Sequence, residues 1–269
     1  MRGDVFNLFV ESASARPTCH LVLSARRRKK TASPQFVVAL SGAHATGADL
    51  KRRTSNKIVA TVVGNRQGTT YRCLAVPAAA EALATAAPEM LLSTMRAATA
   101  PQASLTAPAA EPVDTGVEIA AVRFAQAGVA HVGGVRQFTA VLPDPTPAAA
   151  ASASARVATG SLLERQEGAE ARQGAASEGL LVASTVKPAW DAQRKMHVMD
   201  FAKRVTQGSP KNCQLTVQGA AAARAEQQAV FLFGKNGKDL YAMDFAYPLT
   251  LVQAFSIAIA CFDTRSFSG

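Results

Sequence analysis

Apolar residues along the chain fall into short runs rich in valine, phenylalanine and threonine, each closed by glycine, asparagine, proline or serine. Runs of this length, with β-branched and aromatic side chains, predict strands. They cover 20–24, 35–40, 57–63, 69–76, 117–124, 136–142, 180–186, 195–201, 212–217, 229–233 and 239–245. The sharpest hairpin turns through Gly234-Lys235-Asn236-Gly237-Lys238, where Asn236-Gly237 supplies the positive φ angles of a tight primed turn. Many short strands without amphipathic helices between them predict a sandwich or barrel rather than a parallel α/β sheet.

The pattern changes at the C-terminal end. From Pro248 to Phe262 only Thr250, Gln253 and Ser256 are polar among the residues that follow the proline. Pro248 suits the first helical position, where a missing N–H costs nothing. A helix that is apolar all round is either buried or membrane-spanning. About 15 residues reach roughly 22 Å at 1.5 Å each, short of a hydrocarbon core of about 30 Å. The segment is therefore expected to be a core helix with strands wrapped around it.

Two stretches carry no strand or helix periodicity. Residues from about 77 to 112 and from about 144 to 159 are rich in Ala, Pro, Ser and Thr, and are read as insertions in surface loops. Residues 161–172 predict a short exposed helix. Trp190, the single tryptophan, follows Pro188 and is expected to pack in the core or at a barrel end.

Charge is distributed unevenly. Residues 1–72 hold 13 Lys/Arg and 3 Asp/Glu, and this quarter of the chain carries the whole net charge of +10. A localised basic field fits an anionic partner, either phospholipid headgroups or nucleic acid. Its densest run is Arg26-Arg27-Arg28-Lys29-Lys30, followed by Lys51, Arg52, Arg53 and Lys57. A solvated tail or a nuclear import signal is the competing reading of the first run. Cys19, Cys73, Cys213 and Cys261 form no close pair in sequence, giving neither a disulfide framework nor a zinc knuckle. A reducing, intracellular compartment is expected, since the short apolar patch at 5–10 does not read as a signal peptide. His20, His44, His131 and His197 are too dispersed to predict a metal site. No Gly-x-Ser-x-Gly, His-Glu-x-x-His or phosphate loop is present, so the expectation is a protein without catalytic residues, metal or cofactor.

An ordered series of blocks resembles the tubby-like protein family. The hairpin from Phe231 to Phe245 resembles that family's penultimate hairpin. Tyr247-Pro248-Leu249, Gln253-Ala254-Phe255 and Phe262-Asp263-Thr264 resemble its final helix. Upstream, Arg26 to Thr31, Arg52 to Asn56, Glu118 to Val122 and Gly134 to Pro143 fit in order. Lys187-Pro188-Ala189-Trp190, Phe201 to Thr206 and Lys211 to Leu215 complete the series. The resemblance spans roughly 18–269. Residues 1–17 are then an N-terminal segment in which 5–10 fills the place of a remnant first strand.

The resemblance implies a mainly β fold, a closed barrel of about twelve strands around the buried C-terminal helix. It also implies a monomeric, non-enzymatic module that binds phosphatidylinositol 4,5-bisphosphate and sits peripherally on the inner face of the plasma membrane, tethering protein cargo. Carried over, Arg52 takes the Lys position of the family's Lys-x-Arg-Ser-Asn segment and Arg136 the arginine of its Gly-x-Arg strand. Guanidinium groups suit phosphate because each donates two parallel hydrogen bonds. Thr54 stands at the second basic position, and Pro34 or Gln35 where the family has Asn. Arg53 would restore the charge only through a one-residue register shift, because neighbouring strand residues face opposite sides. Arg26, Arg27, Arg28, Lys29, Lys30, Lys51 and Lys57 would form a surrounding membrane-facing patch, which other anionic phospholipids could also satisfy. Two other readings stay open: a nucleic-acid-binding regulator that uses the same basic face in the nucleus, and an interaction domain whose lipid pocket has degenerated.

Overall fold

Valine, isoleucine, threonine and the aromatics pack well on a pleated surface, and the runs that contain them form strands. The computed structural model describes residues 5–11, 19–29, 31–40, 58–76, 116–125, 131–132, 135–145, 160–171, 179–217 and 229–263. The strands in the first half are β1 (Val5–Glu11), β2 (Cys19–Arg27), β3 (Gln35–Leu40), β4 (Ile58–Gly64), β5 (Thr70–Ala75) and β6 (Val117–Phe124). Then come β7 (His131–Val132), β8 (Val135–Arg136), β9 (Phe138–Pro143), β10 (Leu180–Thr185), β11 (Ala189–Asp191) and β12 (Met196–Val198). The last three are β13 (Cys213–Val217), β14 (Phe231–Gly237) and β15 (Leu240–Phe245). Two helices, α1 (Leu162–Ala171) and α2 (Leu251–Phe262), complete the described elements.

Eleven strands make one antiparallel sheet in the order β1-β2-β3-β4-β5-β6-β9-β10-β13-β14-β15, while β7–β8 and β11–β12 are separate two-stranded ribbons. Sheet order is chain order, a meander. Closure of the sheet into a barrel is not found among the described residues: β1 and β15 are its edges and no pairing joins them. The two edges meet through side chains instead. Phe6 of β1 stacks on Phe262 of α2 at 4.7 Å between ring centroids, and Tyr241 of β15 meets the same ring edge-on at 4.8 Å. Such pairs contribute about 0.5–1.5 kcal/mol beyond their area burial.

The helix α2 is buried from Val252 to Cys261, as its all-round apolarity requires. It begins later than the proline suggests. Thr250 is the N-cap: its hydroxyl accepts from the Gln253 N–H at 3.3 Å, and the Gln253 side-chain oxygen accepts from the Thr250 N–H at 2.8 Å. This capping box satisfies two orphan donors, so it fixes the start at Leu251 and leaves Pro248 outside. The two polar side chains inside the helix are both paired. Gln253 donates to the Ile119 carbonyl at 2.8 Å, and the Cys73 thiol donates to the Ser256 hydroxyl at 2.9 Å. No described helix is long and apolar enough to cross a membrane.

Three further sequence expectations change. The helix expected at 161–172 forms as α1 but is not simply exposed. Leu162 and Leu163 pack on Ala121, Val141 and Leu180, a second small core on the outer face of the sheet. The strand expected at 195–201 shrinks to β12, because it pairs only with the three residues of β11. Trp190 lies on that ribbon and is 58% exposed, not in the core, since a two-stranded ribbon has no second layer to bury it. The alanine-rich insertions at 77–112 and 144–159 lie outside the described residues, apart from positions 144 and 145.

Candidate functional site

The antiparallel meander places Arg27, Tyr71, Phe124, Phe138, Cys213 and Phe233 toward one end of the sheet, where α2 also terminates. There Asp263 caps the helix with its N–H on the Ala260 carbonyl, and its side chain is fully buried. The C-terminus of a helix carries about half a negative charge, which adds to that carboxylate. Cations from distant parts of the chain collect around this negative end.

Strand β2 brings in Arg27, whose Nη2 lies 3.7 Å from Asp263 Oδ1 and whose guanidinium lies 5.7 Å from the centre of the Phe36 ring. Beyond it the chain turns back. The Arg28 N–H donates to the Gln35 carbonyl at 2.8 Å, and Arg28 Nη1 reaches Gln35 Oε1 at 3.5 Å. Arg26 and Arg28 are half-buried and Lys29 is exposed, so this turn presents positive charge outward.

Strand β8 brings in Arg136. Its guanidinium lies 4.0 Å from the Phe124 ring centroid, and only 3% of the residue is exposed. A surface pocket would leave it open to solvent, whereas here it is a packed interior group. Burial pushes its pKa down, opposed by Cys261, Tyr71, Asp263 and Cys213 around it. Lys211 is also pushed down, first by burial and then by the positive charges of Arg136 and Lys235. One backbone and one side-chain hydrogen bond tie the segments that carry these three. The Arg136 N–H donates to the Pro210 carbonyl at 3.4 Å, and Asn212 Oδ1 accepts from the Lys235 N–H at 2.9 Å.

Of the residues expected from sequence, the structure therefore brings Arg27 and Arg136 to one end around Asp263, with Gln35 at the adjoining turn. Arg52, Arg53, Thr54, Lys30, Lys51 and Lys57 lie outside the described residues. Lys211 and Lys235 were not anticipated. Lys211 stands just before β13 and Lys235 just before the Asn236-Gly237 turn, so strand-end position was the available signal. An open cleft of about 270 Å³ lies along the ends of β6, β9 and β10, lined by Arg123, Thr139, Ser184, Thr185 and Lys187 among others. Its hydroxyls are largely satisfied internally. Thr185 donates to Gln137 Oε1 at 3.0 Å, and Thr139 and Ser184 share a hydrogen bond at 3.3 Å. Arg123 is held by Glu167 at 2.7 Å.

The buried thiols give a pH expectation. Burial raises the Cys73 thiol from its ordinary 9.0 to about 12, while a hydrogen bond with the Cys261 thiol and then burial raise Cys213 well above the same value. The unfolded chain then releases a proton near pH 9 that the folded chain retains, so stability falls as pH rises above that point. For Cys73 the expected loss is about 1 kcal/mol on going from about pH 9 to about pH 10. Urea denaturation at the two pH values checks it, with Cys73→Ala expected to flatten the dependence.

The model of the Tub family matches residues 2–264. The chain belongs to the Tub family. Its Tub-family relatives include Tubby-like F-box protein 3 of Arabidopsis thaliana, 39% identical over 93 residues, which are 34% of this chain and 23% of that protein. Tubby-like F-box protein 11 of the same plant is 35% identical over 117 residues, 40% of this chain and 30% of the relative. Tubby protein homolog 1 of Caenorhabditis briggsae is 31% identical over 145 residues, 54% of this chain and 33% of the relative. The matched part of this Tub-family chain thus spans a quarter to a third of these relatives' length.

Proposed function

We propose that the chain is a non-enzymatic module that binds phosphatidylinositol 4,5-bisphosphate and so attaches peripherally to the inner face of the plasma membrane, as a tether or adaptor for protein cargo. The observation that carries this reading is the confinement of the whole +10 excess to residues 1–72 of a Tub-family chain. In this reading Arg52 and Arg53 meet the headgroup phosphates, Thr54 offers a hydroxyl where a charge is lost, and Gln35 offers its amide. Arg136 contributes charge from the interior, and Arg26, Arg27, Arg28, Lys29, Lys30, Lys51 and Lys57 add general attraction to anionic lipid. Each basic residue near such a surface contributes about 1 kcal/mol.

The test is co-sedimentation of the full chain with vesicles. Binding is expected to rise with phosphatidylinositol 4,5-bisphosphate beyond what equal charge from phosphatidylserine gives, and Arg52→Ala is expected to remove that excess. Equal binding to both vesicles would sink the specific pocket. DNA binding by the same face would instead show a log-log salt slope of about −0.9 per phosphate contacted, without headgroup preference.

A further inference from the structure

The ribbon β11–β12 stands apart from both cores and carries two large apolar side chains into solvent. Trp190 is 58% exposed and Met196 is 52% exposed. Register places Trp190 opposite His197 and Asp191 opposite Met196. Opposed residues share a face and neighbours alternate, so tryptophan and methionine lie on opposite sides of the ribbon. The Trp190 and His197 rings meet edge-on at 5.1 Å, which steadies the indole.

Between the strands, Asp191 fixes the turn. Its Oδ1 accepts from the N–H groups of Gln193 at 2.9 Å and Arg194 at 3.0 Å, while Oδ2 holds Arg194 Nη1 at 3.3 Å. The turn itself is exposed, and Lys195 adopts a φ of 50° within it. Around the ribbon, residues 187–204 hold five Lys/Arg and two Asp, with Lys187, Lys195 and Lys203 exposed. The chain thus spends ordered backbone on a thin cationic element with an apolar side chain on each side.

The geometry points to this ribbon as an interfacial anchor that dips into the headgroup layer of an anionic bilayer. Tryptophan favours that layer because its ring is apolar and its N–H polar. Lysine and arginine reach lipid phosphates while their stems lie along apolar surface. A folded protein offers a surface that covers one side of a ribbon, whereas a fluid headgroup layer surrounds both. The inference rests on the membrane attachment proposed above, but not on the choice of phosphoinositide.

Because Trp190 is the only tryptophan, its fluorescence reports the ribbon alone. With the full chain and vesicles of phosphatidylcholine plus phosphatidylserine, Trp190 emission is expected to shift to the blue. Lipids brominated on the acyl chain near the headgroup should quench it. Trp190→Ala and Met196→Ala are each expected to weaken vesicle binding by up to about tenfold without changing thermal unfolding. Protein that pellets with phosphoinositide vesicles while its emission stays unchanged would overturn the anchor and leave the headgroup reading standing. A blue shift without any phosphoinositide preference would uphold the anchor and overturn the specific pocket. A shift with soluble polyglutamate but with no vesicle would overturn the anchor in favour of an acidic protein partner.

Discussion

Replacing Ile257 with aspartate is expected to leave the protein without a cooperative unfolding transition. Ile257 is fully buried in the middle of α2 and belongs to the main core, which draws residues from nearly every strand of the sheet. Ile257→Ala alone should cost about 2–5 kcal/mol, from lost transfer energy and the cavity left behind. Aspartate adds the cost of placing a carboxyl group among apolar side chains, several kcal/mol more unless it is hydrogen-bonded. Beside Ile257 lies a void of about 10 Å³ lined by Val62, Tyr71, Cys73, Ala120, Val122 and Ser256. That is scarcely room for a single water, so the carboxyl cannot be hydrated in place. Against a net stability of about 5–15 kcal/mol, the combined cost is decisive. Circular dichroism through a urea titration measures it. A sharp transition close to that of the parent would show that α2 is not the core.

The reason for that sensitivity was visible in the sequence. Ten consecutive residues with two polar side chains leave a helix no face for water, and its length excludes a simple span. The capping box was equally legible, since Thr250 and Gln253 have the Thr-x-x-Gln spacing, yet the proline is a louder signal and points three residues too early. The second core on the outer face also had a signal. Ala120-Ala121-Val122 and Ala140-Val141-Leu142 are unbroken apolar runs, and a strand that is apolar at consecutive positions is covered on both sides. α1 supplies that cover through Leu162 and Leu163. Closure of the sheet had no comparable signal. Whether two edges pair depends on how far eleven strands twist and bend, and no local pattern encodes that sum.

The candidate site was legible in composition but not in arrangement. A run of five basic residues announces an anionic partner, yet it does not say which arginine turns inward. Arg27 turns toward Asp263, although the two are separated by nearly the whole chain. Arg136 turns onto Phe124 because it stands two residues before Phe138, which pairs with Phe124 across β6 and β9. Both facts follow from strand register, which fixes faces only after pairing is known. Trp190 failed as a core residue for the opposite reason: its strand pairs only with a second short strand, so no layer covers it.

These placements decide which basic residues test lipid binding cleanly. Substituting Arg26, Arg28 and Lys29 together with alanine is expected to weaken binding to phosphatidylserine vesicles by roughly 100-fold. Three charges at about 1 kcal/mol each give about 3 kcal/mol, and 1.4 kcal/mol is tenfold. Arg27 is left in place deliberately. Its partner Asp263 is buried, and removing the arginine would take a charge partner from an interior carboxylate, shifting the effect from lipid affinity to stability. Arg136 is excluded as well, since a residue that is 3% exposed with its guanidinium over Phe124 is part of the packing. The triple variant should keep its thermal midpoint within a few degrees, because Arg26 lies near the end of β2, Arg28 and Lys29 lie at the turn beyond it, and none of the three is buried. Added salt should weaken the parent more than the variant, because charge attraction is screened over about 10 Å at 0.1 M. A triple variant that sediments like the parent would show that the β2–β3 turn faces away from the bilayer, and the contact would then have to come from other cations of the chain.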